Sequence, residues 1–583
     1  MTVFSPVVLI RRGTSFFGEG IILTDEKQQW LRSAEIARES GDYKAMRACA
    51  REILEMESGD MDALCVFAEA TLLDGDIEDA KKRIVEVRLR MPQHLYGMMV
   101  EAEISYAEFK LKEAVSLLRG VIAMTADSAE PDAKKYKLRA LGLLSDVYQL
   151  SAEPEKAAMA FFEASALAEA PLEKASYYSK ALFLTNYRHL PIEKTLELHQ
   201  GYNAFFRAKI TFPHKKSEVR GNKLRIGYIS PDLRLHSAAC FFTPLFKKYS
   251  RKDFIVYVYN AGESDVVTKR FQRMSVHWRD VYGLSAVETA RRIFADHIDI
   301  LVDLSGHTQN SCLPVLAYRP APVQVSGIGY MNTTGLNETD YFISDTYCMP
   351  FSEAAQGFSE KLMRIAHSHL CFSPGTVRQF PVASNAAPSV ENGYITFGSF
   401  NNFSKVSLDV LSLWRTILEM VPKSRLVIKS KICSIPSGQD IVRARLRAVG
   451  LNENRVEMRP YSPDYLEQYR DIDIALDTFP YNGGLTTCEA LYMGVPVITL
   501  RGNTHGSRFG TSILENAGLP ELVAKTEADY VNRAVKIANS PEILAEYHRN
   551  LRSFLQNSSL MNGDEYMQDL EEEYRRIWAE ATS

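Results

Sequence analysis

The sequence predicts an α-helical repeat region followed by two parallel, doubly wound α/β domains that face each other across a cleft. Three observations carry this: a 34-residue interval near the amino terminus, a change to alternating β-branched runs and helical stretches after TFPHKKSEVRGNK, and a proline-bearing linker dividing the alternating part. At 583 residues the chain exceeds one core, and a prior of roughly 150 residues per domain gives three or four units. A net charge of -4 and a pI near 6.4 argue against a broad nucleic-acid-binding surface. The eight cysteines show no C-x-x-C spacing, so neither a disulfide framework nor a zinc site is indicated, and a reducing cytosol fits. MTVFSPVVLIRRGTSFF has its arginines after the apolar run, the wrong order for a signal peptide, and no segment is apolar for long enough to span a bilayer.

The repeat is read from Gly41-Asp42 and Gly75-Asp76, 34 residues apart, and from Ala80 and Ala114, which keep the same interval within GDIEDA and FKLKEA. This is the tetratricopeptide period, and small residues let paired helices approach closely. Met46 stands where the first unit would carry alanine, and Ala157 falls 43 residues after Ala114, consistent with an insertion around ADSAEPDAK. A helical bridge from Ala175 to Ala208 leads to the first α/β series, with strands expected at Leu224–Ser230, Phe254–Tyr259, Ile298–Leu304 and Val323–Ile328. After the linker SPGTVRQFPVASNAAPSVENG the second series is YITFGSF, RLVIKSK, RVEMRP, DIDIALD and PVITLRG, and MNGDEYMQDLEEEYRRIWAEA reads as a terminal helix. The boundaries are an N-terminal extension 1–24, repeats 25–174, bridge 175–215, first domain 216–375, linker 376–392 and second domain 393–583. Neither domain has G-x-G-x-x-G at its first strand, which weakens a dinucleotide reading.

Asp471 to Leu500, DIDIALDTFPYNGGLTTCEALYMGVPVITL, reads as strand, glycine-bearing turn, helix and strand. Ligands of open α/β sheets sit beyond the carboxyl ends of the strands, and a turn feeding a helix N-terminus offers N–H groups to phosphate. Thr486-x-x-Glu489 also fits a capping box, in which Glu489 would serve only the backbone. Asp471-Ile472-Asp473 looks like a D-x-D metal motif, but a place within a strand makes it structural.

Five segments in order, LRIGYISPDLRLHSAACFFTPLF, IDILVDLSGHT, YRPAPVQVSGIGYMNTTG, ITFGSFNNFSKVS and LDTFPYNGGLTTCEALYMGVPVITLRG, resemble the catalytic region of the O-linked N-acetylglucosamine transferase and SPINDLY family in its bacterial form. The resemblance runs from about Ser176 to Trp578. It implies a GT-B fold and inverting, metal-independent transfer from a nucleotide sugar, UDP-GlcNAc in the leading reading, to Ser or Thr of a protein recruited by the repeats. His236 matches a histidine that handles acceptor and sugar, and a neutral imidazole could take the hydroxyl proton. Lys405 stands at the catalytic lysine, neutralising charge on the leaving diphosphate. Thr486 and Thr487 match the diphosphate contacts and Glu489 the acidic group on the ribose. Animal members carry aspartate there, and a histidine where this chain has Gly483-Gly484-Leu485. Asn401 and Asn402 would contact the donor or cap a helix. His307 in SGHT is either a site residue or a loop histidine satisfied internally.

These motifs contact phosphate and ribose, so they do not choose the sugar. GDP-fucose transfer and asparagine hexosylation remain alternatives within the enzyme class, and an inactive repeat scaffold is the alternative outside it. The resemblance points to flagellin or another surface protein as acceptor.

Overall fold

The computed structural model describes residues 26–126, 132–207, 211–214, 223–274, 276–353 and 356–583. The N-terminal extension, most of the ADSAEPDAK insertion and much of the TFPHKKSEVRGNK junction lie outside the described residues. The chain divides into two compact units, one ending at Ala181 and one beginning at Leu182, with Ile435–Ser437 grouped with the first.

The first unit is an array of helices: α1 (Glu26–Ser40), α2 (Tyr43–Met56), α3 (Met61–Leu73), α4 (Ile77–Arg90), α5 (Leu95–Ala107), α6 (Leu111–Met124), α7 (Ala133–Leu150) and α8 (Pro154–Leu167). The repeat rests on one backbone device. Gly41, Gly75, Phe109 and Ala152 all have positive φ, at 76°, 101°, 58° and 56°, and each ends a turn before the second helix of a hairpin. Glycine adopts this conformation freely, whereas a side chain there costs roughly 1–2 kcal/mol. The following aspartates, Asp42 and Asp76, cap α2 and α4 by accepting from Ala45 N and Asp79 N. Lys110 and Glu153 provide no such cap. Met46, Ala80, Ala114 and Ala157 are all buried at the matching helix contact. The array also buries charge: Arg139 reaches Glu103 at 2.5 Å and also pairs with Glu69, which Arg38 contacts at 2.5 Å.

The second unit carries two parallel sheets. The first contains β1 (Leu224–Ser230), β2 (Phe254–Asn260), β3 (His277–Asp280), β4 (Ile300–Asp303), β5 (Val323–Ser326), β6 (Tyr341–Asp345) and β7 (Lys361–Ile365), in the order 3-2-1-4-5-6-7. The second contains β8 (Thr396–Ser399), β9 (Arg425–Lys429), β10 (Val456–Arg459), β11 (Ile474–Leu476), β12 (Val497–Leu500) and β13 (Val523–Ala524), in the order 10-9-8-11-12-13. Both orders follow one plan: the first strand is central, the chain winds outward on one side, then crosses to the other. The expected strands at Ile298–Leu304 and Val323–Ile328 are shorter than predicted. β3, β6, β7 and β13 were not anticipated. β3 (HWRD) is polar and part-exposed, β6 ends in Ser-Asp, β7 alternates, and β13 has two residues, so none shows a long β-branched run.

The terminal helix, Gly563–Thr582, follows the second sheet in sequence but packs on the first. Tyr574 meets Tyr228 of β1 at 3.2 Å, and Tyr341 of β6 donates to Glu580 at 2.8 Å. No helix among the described residues is long and apolar enough to cross a membrane.

Candidate functional site

In a doubly wound sheet the loops after the first and fourth strands diverge at the switch point, leaving a crevice at the strands' carboxyl ends. Every site residue expected from the sequence lies on one of these loops or the helix that follows. His236 follows β1 and His307 follows β4. Asn401, Asn402 and Lys405 follow β8, and Gly483 to Glu489 follow β11.

The second-domain loops form one group. Lys405 Nζ donates to the Asn482 carbonyl at 2.9 Å and sits 3.6 Å from the centroid of the Tyr481 ring. Burial lowers its pKa to about 8, and the nearby Asp477 carboxylate opposes that shift. Asp477 accepts from Gly483 N and Thr499 Oγ1, each at 2.7 Å, and burial raises its pKa to about 6. Thr486 Oγ1 donates to Asn401 Oδ1 at 2.9 Å, and Thr487 Oγ1 to the Gly483 carbonyl at 3.0 Å. The helix Leu485–Tyr492 begins at Gly484 without a side-chain cap, so its first N–H groups are available to an anion. Asn401, Asp477, Thr486 and Thr487 line a pocket of about 10 Å³ beside the stacked rings of Phe400 and Tyr469. That volume holds about one water.

The capping-box reading of Thr486 and Glu489 does not hold. Glu489 is buried and turned away from the helix start: its Oε1 accepts from Arg378 at 2.8 Å and from Tyr465 at 2.5 Å. Burial raises its pKa to about 7, against the pull of Arg378. Asn402 does act as a cap, accepting from Ser404 N at 3.1 Å. Asp471 and Asp473 precede β11 rather than lying within it, and they diverge. Asp471 pairs with Arg459 at 2.6 Å, while buried Asp473 accepts from Ser389 N and Thr396 N.

The first-domain histidines differ from each other. His236 is more than a third exposed; its Nδ1 accepts from Ala238 N at 3.4 Å and lies 3.6 Å from the Asp232 carboxylate. Desolvation lowers its pKa, with Asp232 pulling the other way. His307 is buried among the rings of His199, Tyr202 and Tyr330, and its Nε2 lies 2.8 Å from the Thr334 carbonyl. Burial lowers its pKa to about 3.

Sequence reasoning missed Asp477, Asn482, Arg378 and Tyr465. Asp477 had a usable signal, a carboxylate at the carboxyl end of a strand within IALD. Arg378 had none, because it lies in the linker and meets Glu489 only after folding. Cys348, His369 and His505 also converge from separate segments, as the one described group able to hold a metal ion. A cavity of about 950 Å³, lined by Arg225, Arg319, Asp340, Lys361 and Trp578, lies at the amino ends of the first sheet's strands, opposite the crevice.

Comparisons with known proteins agree with this architecture. The chain is 39% identical over 395 residues to a Petunia hybrida protein named probable UDP-N-acetylglucosamine–peptide N-acetylglucosaminyltransferase SPINDLY, covering 66% of this chain and 41% of that protein. An Arabidopsis thaliana protein of the same name is 40% identical over 363 residues, covering 61% and 39%. The chain thus spans about two fifths of the length of these relatives. A solved structure of a mutant O-GlcNAc transferase from Thermobaculum terrenum is similar with a TM-score of 0.75 at 28% identity, over 96% of this chain and 99% of that one. Its likeness supports the helical-repeat and GT-B architecture. The profile of glycosyl transferase family 41 matches residues 185–373 and 373–570, which is most of the chain, and the protein belongs to that family.

Proposed function

We propose that this protein transfers N-acetylglucosamine from UDP-GlcNAc to a Ser or Thr hydroxyl of a protein acceptor, with inversion and without a catalytic metal. The observation that carries the reading is the Lys405 corner: an ammonium held on the Asn482 carbonyl, in the turn that leads through Gly483 to an uncapped helix start bearing Thr486 and Thr487. Lys405, Thr486, Thr487, Asn401 and the N–H groups after Gly483 and Gly484 would bind the diphosphate. Lys405 now serves the Asn482 carbonyl and Thr486 serves Asn401, so donor phosphate would take over from these internal partners. As the bond from C1 to the diphosphate oxygen breaks, the acceptor oxygen attacks C1 from the opposite face, and the ammonium stabilises the charge gathering on UDP.

His236 is the candidate base. For Nε2 to receive the hydroxyl proton, Nδ1 must carry a hydrogen toward Asp232 and give up the bond it accepts from Ala238 N. Glu489 is the ribose ligand in this reading and would exchange Arg378 or Tyr465 for sugar hydroxyls. Asn402 caps the short turn that carries Lys405, and His307, packed among first-domain rings, stays outside the donor contacts. The repeats would recruit the acceptor in the cytosol, with flagellin or another surface protein the first class to try.

Calorimetric titration of UDP and GDP, with and without EDTA, tests the donor. Tighter UDP binding, unchanged by EDTA, supports the reading. Preference for GDP would move the assignment to fucose transfer, and binding of neither would favour a scaffold.

A further inference from the structure

Cys348, three residues beyond β6, His369, beyond β7, and His505, beyond β12, meet in the interior of the second unit. One donor atom from each lies within 4.8 Å of the others. All three are buried: Cys348 is 0% exposed, His369 1% and His505 2%. The two imidazole centroids are 4.8 Å apart, and the Cys348 sulfur approaches the His369 ring at 3.8 Å on its Nδ1 edge, the edge that also meets Asp345.

Buried polar atoms are ordinarily paired, and orphans require an explanation. Neither ring nitrogen of His505 has a hydrogen-bond partner, although the Met331 backbone is close enough to favour its protonated form, and His369 Nε2 is also unpartnered. His369 is oriented from behind. Its Nδ1 contacts the buried Asp345 carboxylate at 2.5 Å, and the same oxygen accepts from Ser512 Oγ at 2.7 Å. A carboxylate only accepts, so Nδ1 carries the proton and Nε2 keeps its lone pair. A carboxylate–histidine pair with the far nitrogen free is the arrangement that orients metal-ligating imidazoles.

We infer that Cys348, His369 and His505 form a binding site for a zinc-class divalent ion, with Asp345 positioning His369. One thiolate and two imidazoles suit that ion, with water as a fourth ligand. Tetrahedral zinc places its ligand atoms roughly 3.3–3.6 Å apart, so the three side chains draw in on binding from separations that now reach no more than 4.8 Å. The ion displaces the Cys348 proton, now directed at the Arg508 carbonyl at 3.6 Å. The site is structural and separate from the Lys405 corner. It ties the loop after β12 in the second domain to the loops after β6 and β7 in the first.

The test uses the full chain, dialysed against chelator and then titrated with Co²⁺. Saturation at one Co²⁺ per chain is expected, with intense d–d absorption and a thiolate-to-cobalt charge-transfer band. Cys348→Ser should lose that band, and Asp345→Asn should weaken binding about 10–100-fold. If Cys348→Ser does not fold by circular dichroism, His505→Gln carries the test, with binding at least tenfold weaker expected. Absence of saturable binding, or a wild-type spectrum without the thiolate band, overturns the assignment, as does unchanged binding in His505→Gln.

Discussion

The two sheet domains use the same device at their switch points and put it to different ends. In the first, Asp303 closes β4 and accepts from Ser326 Oγ on β5 at 2.8 Å and from Gly306 N at 2.7 Å. In the second, Asp477 follows β11 and accepts from Thr499 Oγ1 on β12 and from Gly483 N, each at 2.7 Å. Each buried carboxylate ties the next strand to a glycine of the following loop, and burial raises both pKa values. The loops then diverge. The short turn after Asp303 places His307 among aromatic rings. The longer turn after Asp477 sets Gly483-Gly484 before a helix, with Lys405 on the Asn482 carbonyl. One scaffold therefore makes a corner packed with rings around His307 and a corner that sets Lys405 beside a helix start.

The largest test of this contrast is Lys405→Ala, expected to lower kcat about 10²–10³-fold, the scale for one preorganised charge-stabilising group. Transfer to protein, read by mass spectrometry, checks it; near-normal turnover would remove Lys405 from the chemistry. Next, Asp303→Ala and Asp477→Ala should both destabilise the fold, by about 1–3 kcal/mol for each donor left buried and unpaired. Chemical denaturation would measure this, and only Asp477→Ala should also weaken UDP binding. A loss of UDP affinity in Asp303→Ala would bring His307 into the donor site.

A finer test separates the two glycines. A Cβ on Gly483 would lie 2.6 Å from Thr486 Oγ1 and 2.7 Å from Thr487 Oγ1, whereas at Gly484 the nearest atom is Phe509 Cδ2 at 3.7 Å. Gly483→Ala should weaken UDP binding about tenfold, the cost of overpacking a tight site, and Gly484→Ala should leave it nearly unchanged. Equal effects would mean that the donor does not meet the threonine side of the turn. The smallest expected effect is on pH dependence. In the proposed role Lys405 acts when protonated, so kcat/KM should fall as pH rises through about 8. Asp477 raises that pKa, so Asp477→Asn should move the limb to lower pH. A pH–rate profile in which the limb stays fixed would uncouple the two groups.

Much of this was written locally. The 34-residue repeat was legible because Gly41-Asp42 and Gly75-Asp76 are both the turn and the helix cap, so backbone conformation and sequence coincide. The inner strands β2, β9 and β12 were legible because strands buried on both faces need nearly continuous apolar runs. Edge and short strands such as β3 and β13 were not, since pairing rather than composition makes them strands. The positions of His236, Lys405 and the Gly483-to-Glu489 turn followed from strand ends, and their names from motif resemblance.

The sequence by itself determined the order of the units, most of the inner strands, and which candidate residues follow the carboxyl ends of strands, because these depend on periodicity and turn chemistry within a few residues. Only the tertiary structure decided that Glu489 faces Arg378 and Tyr465 instead of its own helix start, that Asp477 lies beneath Lys405, and that the terminal helix returns to the first sheet. It also brought Cys348, His369 and His505 together from three separate loops. Burial and pairing between distant segments set the charge state of a side chain, and no local pattern encodes them.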